Sequence, residues 1–296
     1  MESNQPNTHK HTHHTHNFFR GAFAKVFKGT NIKTGEEVAI KRIDKTRVNV
    51  EEKVNLDREI EIMKSLNHPN IIRLYDMFDR ETELDLVLEL ASGGELLDKI
   101  INAGNFSEAD TINVLKQVLS ALVEMHGKNI AHRDLKPENL LCAGTDDNLI
   151  VKISDFGLSK NFSASDRLKT IVGTPDYAAP EVIKMDGSVY TTAVDMWSMG
   201  VITYVLLTGF HPFSSENVTE TFERIKHADY FFPDDLFKDI SPEAKDFISR
   251  CLELDANKRI TAAEAMKHSW IASGGRKLMR PTASLSTYMV KRREGK

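Results

Sequence analysis

The hydrophobic period of this chain changes once, around Ser92-Gly93-Gly94-Glu95, and that change narrows the folds open to it. From about residue 22 to 90 the apolar runs are short and strand-like: AKVFKG, EEVAIKRID, IIRLYDMF and LDLVLEL. One helical stretch over about 51–65 interrupts them, with Val54, Ile60 and Met63 on its apolar face. Gly35 in NIKTGE suits a tight reversal between the first two runs. Beyond residue 95 apolar residues recur at helical spacing, as in Ile112, Leu115, Leu119 and Leu122. Capping chemistry marks several helix starts: Ser107 with Asp110, Thr261 with Glu264, and Ser241 ahead of Pro242. The pattern predicts an α+β fold with a small β-rich N-lobe and a larger helical C-lobe. The lobes are expected to meet near residues 89–95, where small-molecule sites usually lie.

Composition removes several classes of function. A chain of 296 residues can bury two cores, and its net charge of -4 argues against a dedicated nucleic-acid binder, so no nucleic acid partner is expected. Cys142 and Cys251 are the only cysteines, which excludes a disulfide framework and points to a reducing, cytoplasmic setting with both thiols buried as small hydrophobes. The N-terminus lacks an apolar run behind a basic start, so no signal peptide is expected. The longest apolar stretch, MWSMGVITYVLL at 196–207, is shorter than the roughly 20 residues of a membrane span and predicts a buried core helix. Residues 1–17 are polar and without hydrophobic period; they predict a disordered His-rich tail and a poor first strand. His9, His11, His13, His14 and His16 lie in it, without the fixed geometry a structural metal site needs.

The chemistry resides in short polar motifs. RGAFAKV alone is any tight turn into a strand. Twenty residues after Gly21, however, Lys41 closes Val38-Ala39-Ile40-Lys41, and an inward lysine there needs an anionic partner, which Glu59 in LDREIEIM can supply. HRDLKPEN at 132–139 then gathers Asp134, Lys136 and Asn139 in one loop, followed by DFG at 155–157 and APE at 179–181. The order and spacing of these motifs form a specific signal.

Together the motifs resemble the eukaryotic protein kinase family over roughly residues 18–271. DLKPEN looks like the serine/threonine branch. ELASGGELLDKI, HGKNIAHRDLKPENLL and VDMWSMGVITYVLLTGFHPF are similar to the calcium/calmodulin-dependent kinase group, and within it to myosin light chain kinases. The resemblance implies a bilobal protein kinase fold with an N-lobe of about 18–90, a C-lobe of about 91–271 and a basic tail over 272–296, working with ATP and Mg2+. It implies that Lys41, held by Glu59, grips the α and β phosphates, and that Asp155 and Asn139 hold Mg2+. Asp134 orients the substrate hydroxyl and accepts its proton, and Lys136 steadies the γ-phosphate. Val26, Ala39 and Leu141 enclose the adenine, the backbone from Glu89 to Ala91 bonds its edge, Leu88 is the gatekeeper, and Glu95 completes the nucleotide-binding set. The phosphate loop G-x-G-x-x-G-x-V falls on Phe19, Arg20, Gly21, Ala22, Phe23, Ala24, Lys25 and Val26. Ala24 is a mild departure from that pattern. Phe19 in the first glycine position adds bulk where the backbone should approach phosphate, so weakened ATP binding is expected.

The same resemblance makes Thr170 the activating phosphosite for an upstream kinase and Arg133 its partner. Glu95, Glu138 and Glu223 fall where arginines upstream of a target residue are met, implying basic substrates, with myosin regulatory light chain the family-level partner. Asp195 is implied to brace the catalytic loop, and Glu181 with Arg259 to tie down the end of the activation segment. The tail GGRKLMRPTASLSTYMVKRREGK resembles the first part of an autoinhibitory segment. It stops before a calmodulin-anchoring tryptophan, and Leu285, Tyr288 and Met289 are few anchors, so a simple solvated tail is expected ahead of calmodulin control. Two rivals stay open. One is a pseudokinase scaffold, favoured only by the damaged glycine loop; the other is a non-catalytic calmodulin-binding module, which leaves HRD, DFG and APE unexplained.

Overall fold

The computed structural model describes residues 24–145, 148–156, 176–184, 191–215, 217–278, 280–281 and 283–294, and the backbone of 12–20. The chain divides into two compact units. One runs through Asn67 and resumes over Ile72–Ala91; the other takes His68–Ile71 and continues from Ser92. Residues 68–71 leave the first unit because their polar groups are satisfied in the second. Asn70 donates through Nδ2 to the Val151 carbonyl at 2.8 Å and to Gln117 Oε1 at 2.9 Å, and its own carbonyl accepts from Ile153 N at 2.9 Å.

The first unit is built on an antiparallel sheet of order β1-β2-β3-β5-β4, comprising β1 (Thr12–Arg20), β2 (Ala24–Thr30), β3 (Glu37–Asp44), β4 (Leu74–Asp79) and β5 (Glu83–Glu89). Gly35, at φ 74°, makes the reversal between β2 and β3, with its amide 2.7 Å from the Asn31 carbonyl. Alternation along β3 sends Val38 and Ile40 to one face, where they pack with Val87, Phe27 and Phe78. Lys41 goes to the other face, opposite Val26 on one side and Leu86 on the other. The helix α1 (Val50–Ser65) starts at a capping box between Asn49 and Glu52 and buries Glu59, Ile60 and Met63. Val54 is 53% exposed, contrary to expectation, because it lies on the far side of the helix from that stripe.

The strand β1 corrects the reading of the N-terminus. It pairs antiparallel with β2 from Thr12 opposite Thr30 to Arg20 opposite Lys25, with irregularities flanking Asn17. Residues 12–17 are therefore strand and not disordered tail. The sheet order puts β1 at an edge, where cross-strand backbone bonds hold a polar sequence that no hydrophobic period announces.

The second unit runs α2 (Leu96–Ala103), β6 (Asn105–Phe106), α3 (Glu108–Gly127), β7 (Leu140–Thr145), β8 (Asn148–Ile153) and α4 (Pro180–Ile183). It continues with α5 (Ala193–Thr208), α6 (Val218–His227), α7 (Asp234–Phe237), α8 (Pro242–Cys251), α9 (Ala262–Ala265) and α10 (Ser269–Ser273), then β9 (Arg280–Pro281) and α11 (Ala283–Glu294). The expected caps form: both capping boxes close, and Ser241 accepts from the Ala244 amide. The core helix is α5, buried from Val194 to Thr208. Among the described residues no helix is long and apolar enough to cross a membrane. Both cysteines are buried; burial pushes the Cys142 thiol up to about 11 and the Cys251 thiol higher still.

The tail is also corrected, since it packs onto the second unit. The Arg276 carbonyl accepts from Ala109 N at 3.1 Å, β9 pairs with β6, and Leu285 is only 3% exposed. Gly209, in the left-handed conformation that ends α5, lets the chain pass so closely that a Cβ there would lie 2.6 Å from the Leu285 amide nitrogen. The Tyr288 hydroxyl hydrogen-bonds to that of Tyr177. Burying a leucine contributes about 1.5–3 kcal/mol, which composition alone did not indicate for this basic segment.

Candidate active site

The expected site residues divide between the two units. In the first, Lys41 Nζ lies 3.5 Å from Glu59 Oε1. Strand alternation turns the lysine to the helix side of β3, and the buried stripe of α1 delivers the glutamate. At that length, with 19% and 11% of the side chains exposed, the pair is shielded but loose. Ala39 stands opposite Leu88, and Val26 opposite both Phe19 and Lys41. The Glu89 amide donates to the Arg73 carbonyl at 2.9 Å, and Ala91 is half-buried at the end of the unit. Ala24 and Lys25 open β2, and Phe19 and Arg20 close β1. Gly21, Ala22 and Phe23 lie outside the described residues.

In the second unit Asp195, in the first turn of α5, is fully buried and accepts from three groups: the His132 amide at 2.9 Å, the Arg133 amide at 2.8 Å and His126 Nε2 at 2.9 Å. Burial alone would raise its pKa. The His126 hydrogen bond, the charges of His126 and His132 and the Arg133 amide outweigh burial and hold it below the ordinary carboxylate range. This anchorage explains how Arg133 sustains φ 70°, a conformation that costs a non-glycine residue about 1–2 kcal/mol.

Hung from Asp195, the loop brings its polar side chains together. Lys136 Nζ is 2.7 Å from Asp134 Oδ2, and Asn139 Nδ2 donates to the Asp134 carbonyl at 2.7 Å and to Oδ2 at 3.1 Å. The Asn139 carbonyl then accepts from Ser154 N at 2.9 Å and Ser154 Oγ at 3.2 Å, which ties the loop to the residue before Asp155. The Ser154 carbonyl is 3.0 Å from His132 Nε2, and Phe156 packs its ring edge-on to His132 at 5.3 Å. Asp155 is exposed at φ 55°. Asn139 turns its Nδ2 to Asp134, and its backbone carbonyl is bonded by the residue before Asp155; side-chain amide and carboxylate oxygens are the kind that suit a hard divalent cation.

The remaining expected residues are less gathered. Leu141 on β7 bridges Glu95, and the neighbouring Cys142 carbonyl accepts from Gly93 N at 2.8 Å. Glu95 precedes α2 and Glu138 lies in the 3-10 turn Pro137–Asn139. Glu223 stands on α6 with Lys226 Nζ at 2.8 Å, and that hydrogen bond lowers its pKa. Thr170 lies outside the described residues. Glu181 meets Arg259 in two parallel bonds of 2.7 and 3.1 Å, while the same guanidinium reaches the Ala193 and Glu253 carbonyls. Sequence reasoning missed His126 and Ser154. His126 stands six positions before His132, but nothing local marks its bond to α5.

The sequence profile of the protein kinase domain matches residues 14–271. Myosin light chain kinase A of Dictyostelium discoideum is 46% identical over 275 residues, which cover 93% of this chain and 92% of that protein. A probable myosin light chain kinase of the same organism is 50% identical over 254 residues, covering 86% of this chain and 64% of its own length. Calcium-dependent protein kinase 5 of Plasmodium berghei is 43% identical over 251 residues, covering 85% of this chain and 44% of that protein.

Proposed function

Because this chain belongs to the protein kinase family and is a protein serine/threonine kinase, we propose that it transfers the γ-phosphate of ATP to serine or threonine hydroxyls in basic sequence contexts, myosin regulatory light chain among them. The observation that carries this is the Asp134–Lys136–Asn139 cluster on a loop suspended from Asp195. Phosphoryl transfer asks mainly for positioning and charge neutralisation. Asp134 receives the substrate hydroxyl and its proton, with Lys136 holding the carboxylate in place and offering its remaining donors to the transferring group. Lys41, steered by Glu59, grips the α and β phosphates. Val26, Ala39 and Leu141 supply apolar contact for the base, and the Glu89–Ala91 backbone its hydrogen bonds. Asn139 and Asp155 would hold Mg2+, which would supply positive charge to offset that of the phosphates.

Phosphorylation of Thr170, paired with Arg133, raises activity, and Glu95 and Glu138 favour arginine upstream of the target. Glu223 contributes less, since Lys226 already neutralises it. The light-chain substrate is supported by the names of the relatives. The alternative is a pseudokinase scaffold with impaired ATP binding. Its one support is the glycine loop, with Phe19 in the first glycine position. The deciding experiment is Mg-ATP phosphotransfer to a basic serine peptide and to light chain, with and without prior phosphorylation by an upstream kinase, against Asp134→Asn. Loss of about a hundredfold or more in kcat is expected for the variant. A wild-type chain that transfers nothing, even with Thr170 phosphorylated, would favour the scaffold.

A further inference from the structure

The segment that enters α4 passes through a turn at Asp176 and Tyr177, where neither helix nor strand can take the backbone carbonyls. Side chains take them instead. Ser198 Oγ, one turn beyond Asp195 on α5, donates to the Tyr177 carbonyl at 2.9 Å. His211, three residues past the end of α5, places Nε2 2.6 Å from the Asp176 carbonyl. The other ring nitrogen, Nδ1, lies 3.2 Å from the Phe213 amide. A carbonyl only accepts and an amide N–H only donates, so the neutral tautomer with hydrogen on Nε2 is the one that satisfies both. The ring is 8% exposed and packs edge-on to Tyr177 at 5.6 Å.

One helix therefore frames two things. Through Asp195, α5 holds the loop that carries Asp134; through Ser198, and through His211 just beyond its end, it holds the start of the segment tied down by Glu181 and Arg259. Any shift of Asp176 and Tyr177 relative to α5 is a shift relative to Asp134. We propose that His211 is a positioning residue for protein phosphorylation: its Nε2–H sets where the segment before α4 presents the substrate polypeptide to Asp134. This rests on the kinase reading above and adds the residue that registers the substrate.

The two ring nitrogens can be tested apart. In His211→Asn the amide reaches the Nδ1 position and can keep the Phe213 contact, but falls short of Asp176. In His211→Gln the side-chain nitrogen reaches the Nε2 position and can keep the Asp176 bond. With the full chain and Mg-ATP, the Asn variant is expected to raise the KM for a basic serine peptide about tenfold, the factor equivalent to roughly 1.4 kcal/mol, while the KM for ATP holds. The Gln variant is expected to stay within about threefold of wild type on the same scale. Amide hydrogen exchange across 176–184 reads the same tie without turnover and should quicken in Asn but not in Gln. Wild-type peptide kinetics and exchange in the Asn variant would overturn the proposal. So would equal losses in both variants, which would make His211 only a cap for its own turn. If wild type transfers no phosphate, the kinase reading fails and the proposal with it; exchange that still quickened in Asn but not in Gln would then show only that His211 ties down the segment.

Discussion

Asp195 and Glu108 are carboxylates almost wholly removed from solvent, at 0% and 1% exposure, and both sit in the first turn of a helix of the second unit. Asp195 accepts from His126, His132 and Arg133; Glu108 accepts from Ser241 N at 2.9 Å, Ser241 Oγ at 2.6 Å and Trp270 Nε1 at 2.7 Å. The chemistry is alike, but the donors are not. Those of Asp195 include two backbone amides, His132 and Arg133, that lie outside any helix or strand, the second at positive φ. Those of Glu108 are a helix cap and an indole on elements that already hold their own backbones. A buried carboxylate thus serves function or only fold according to what its donors would do without it.

The largest expected effect is that of Asp195→Asn. Removing the charge should lower unfolding free energy by about 3–5 kcal/mol in denaturant titrations. It should also abolish phosphotransfer, because the loop bearing Asp134 loses its anchor. Glu108→Gln should cost about 2–3 kcal/mol by the same titration and leave kcat per folded molecule unchanged. A drop in kcat like that of Asp195→Asn would break the distinction. Acid sharpens it further. The Asp195 pKa is depressed in the fold, so its stabilisation is complete above the usual value of about 3.9 and is lost as pH falls through the lower folded value. The acid-unfolding midpoint should therefore depend less on this site in Asp195→Asn than in wild type.

Glu59→Gln should change stability by less than about 1 kcal/mol, since its pair with Lys41 is loose, while raising the KM for ATP several-fold in steady-state assays. The smallest effect belongs to Tyr288→Phe. Loss of one hydroxyl pair should cost about 1 kcal/mol or less in thermal or denaturant unfolding, with α11 still held by Leu285.

Much of this was legible beforehand. The change of period near Glu95 separated strands from helices because side-chain alternation and helical spacing are properties of neighbouring residues. Ser107, Ser241 and Thr261 announced their helices because a cap is satisfied within three residues. The loop cluster was legible for the same reason, since Asp134, Lys136 and Asn139 span six positions. The two ends of the chain were misjudged. Pairing of β1 depends on β2 and not on the composition of Thr12–Arg20, and the tail is held by Gly209 and Tyr177, remote in sequence from Leu285 and Tyr288. Val54 failed because it stands about 180° round α1 from Met63, and Glu59 joins Ile60 and Met63 on the buried stripe instead.

By itself, then, the sequence determined the order of elements, the caps, the local chemistry of the 132–139 loop and membership of a kinase family, all carried by residues close together. Only the tertiary structure decided which distant groups complete that chemistry. His126 reaches Asp195 across 69 positions, His211 reaches Asp176 across 35, and Trp270 reaches Glu108 across 162. Such bonds leave no local trace, because their partners meet only after the chain has closed the loops between them, and burial then makes an unmet polar group costly enough to fix the match.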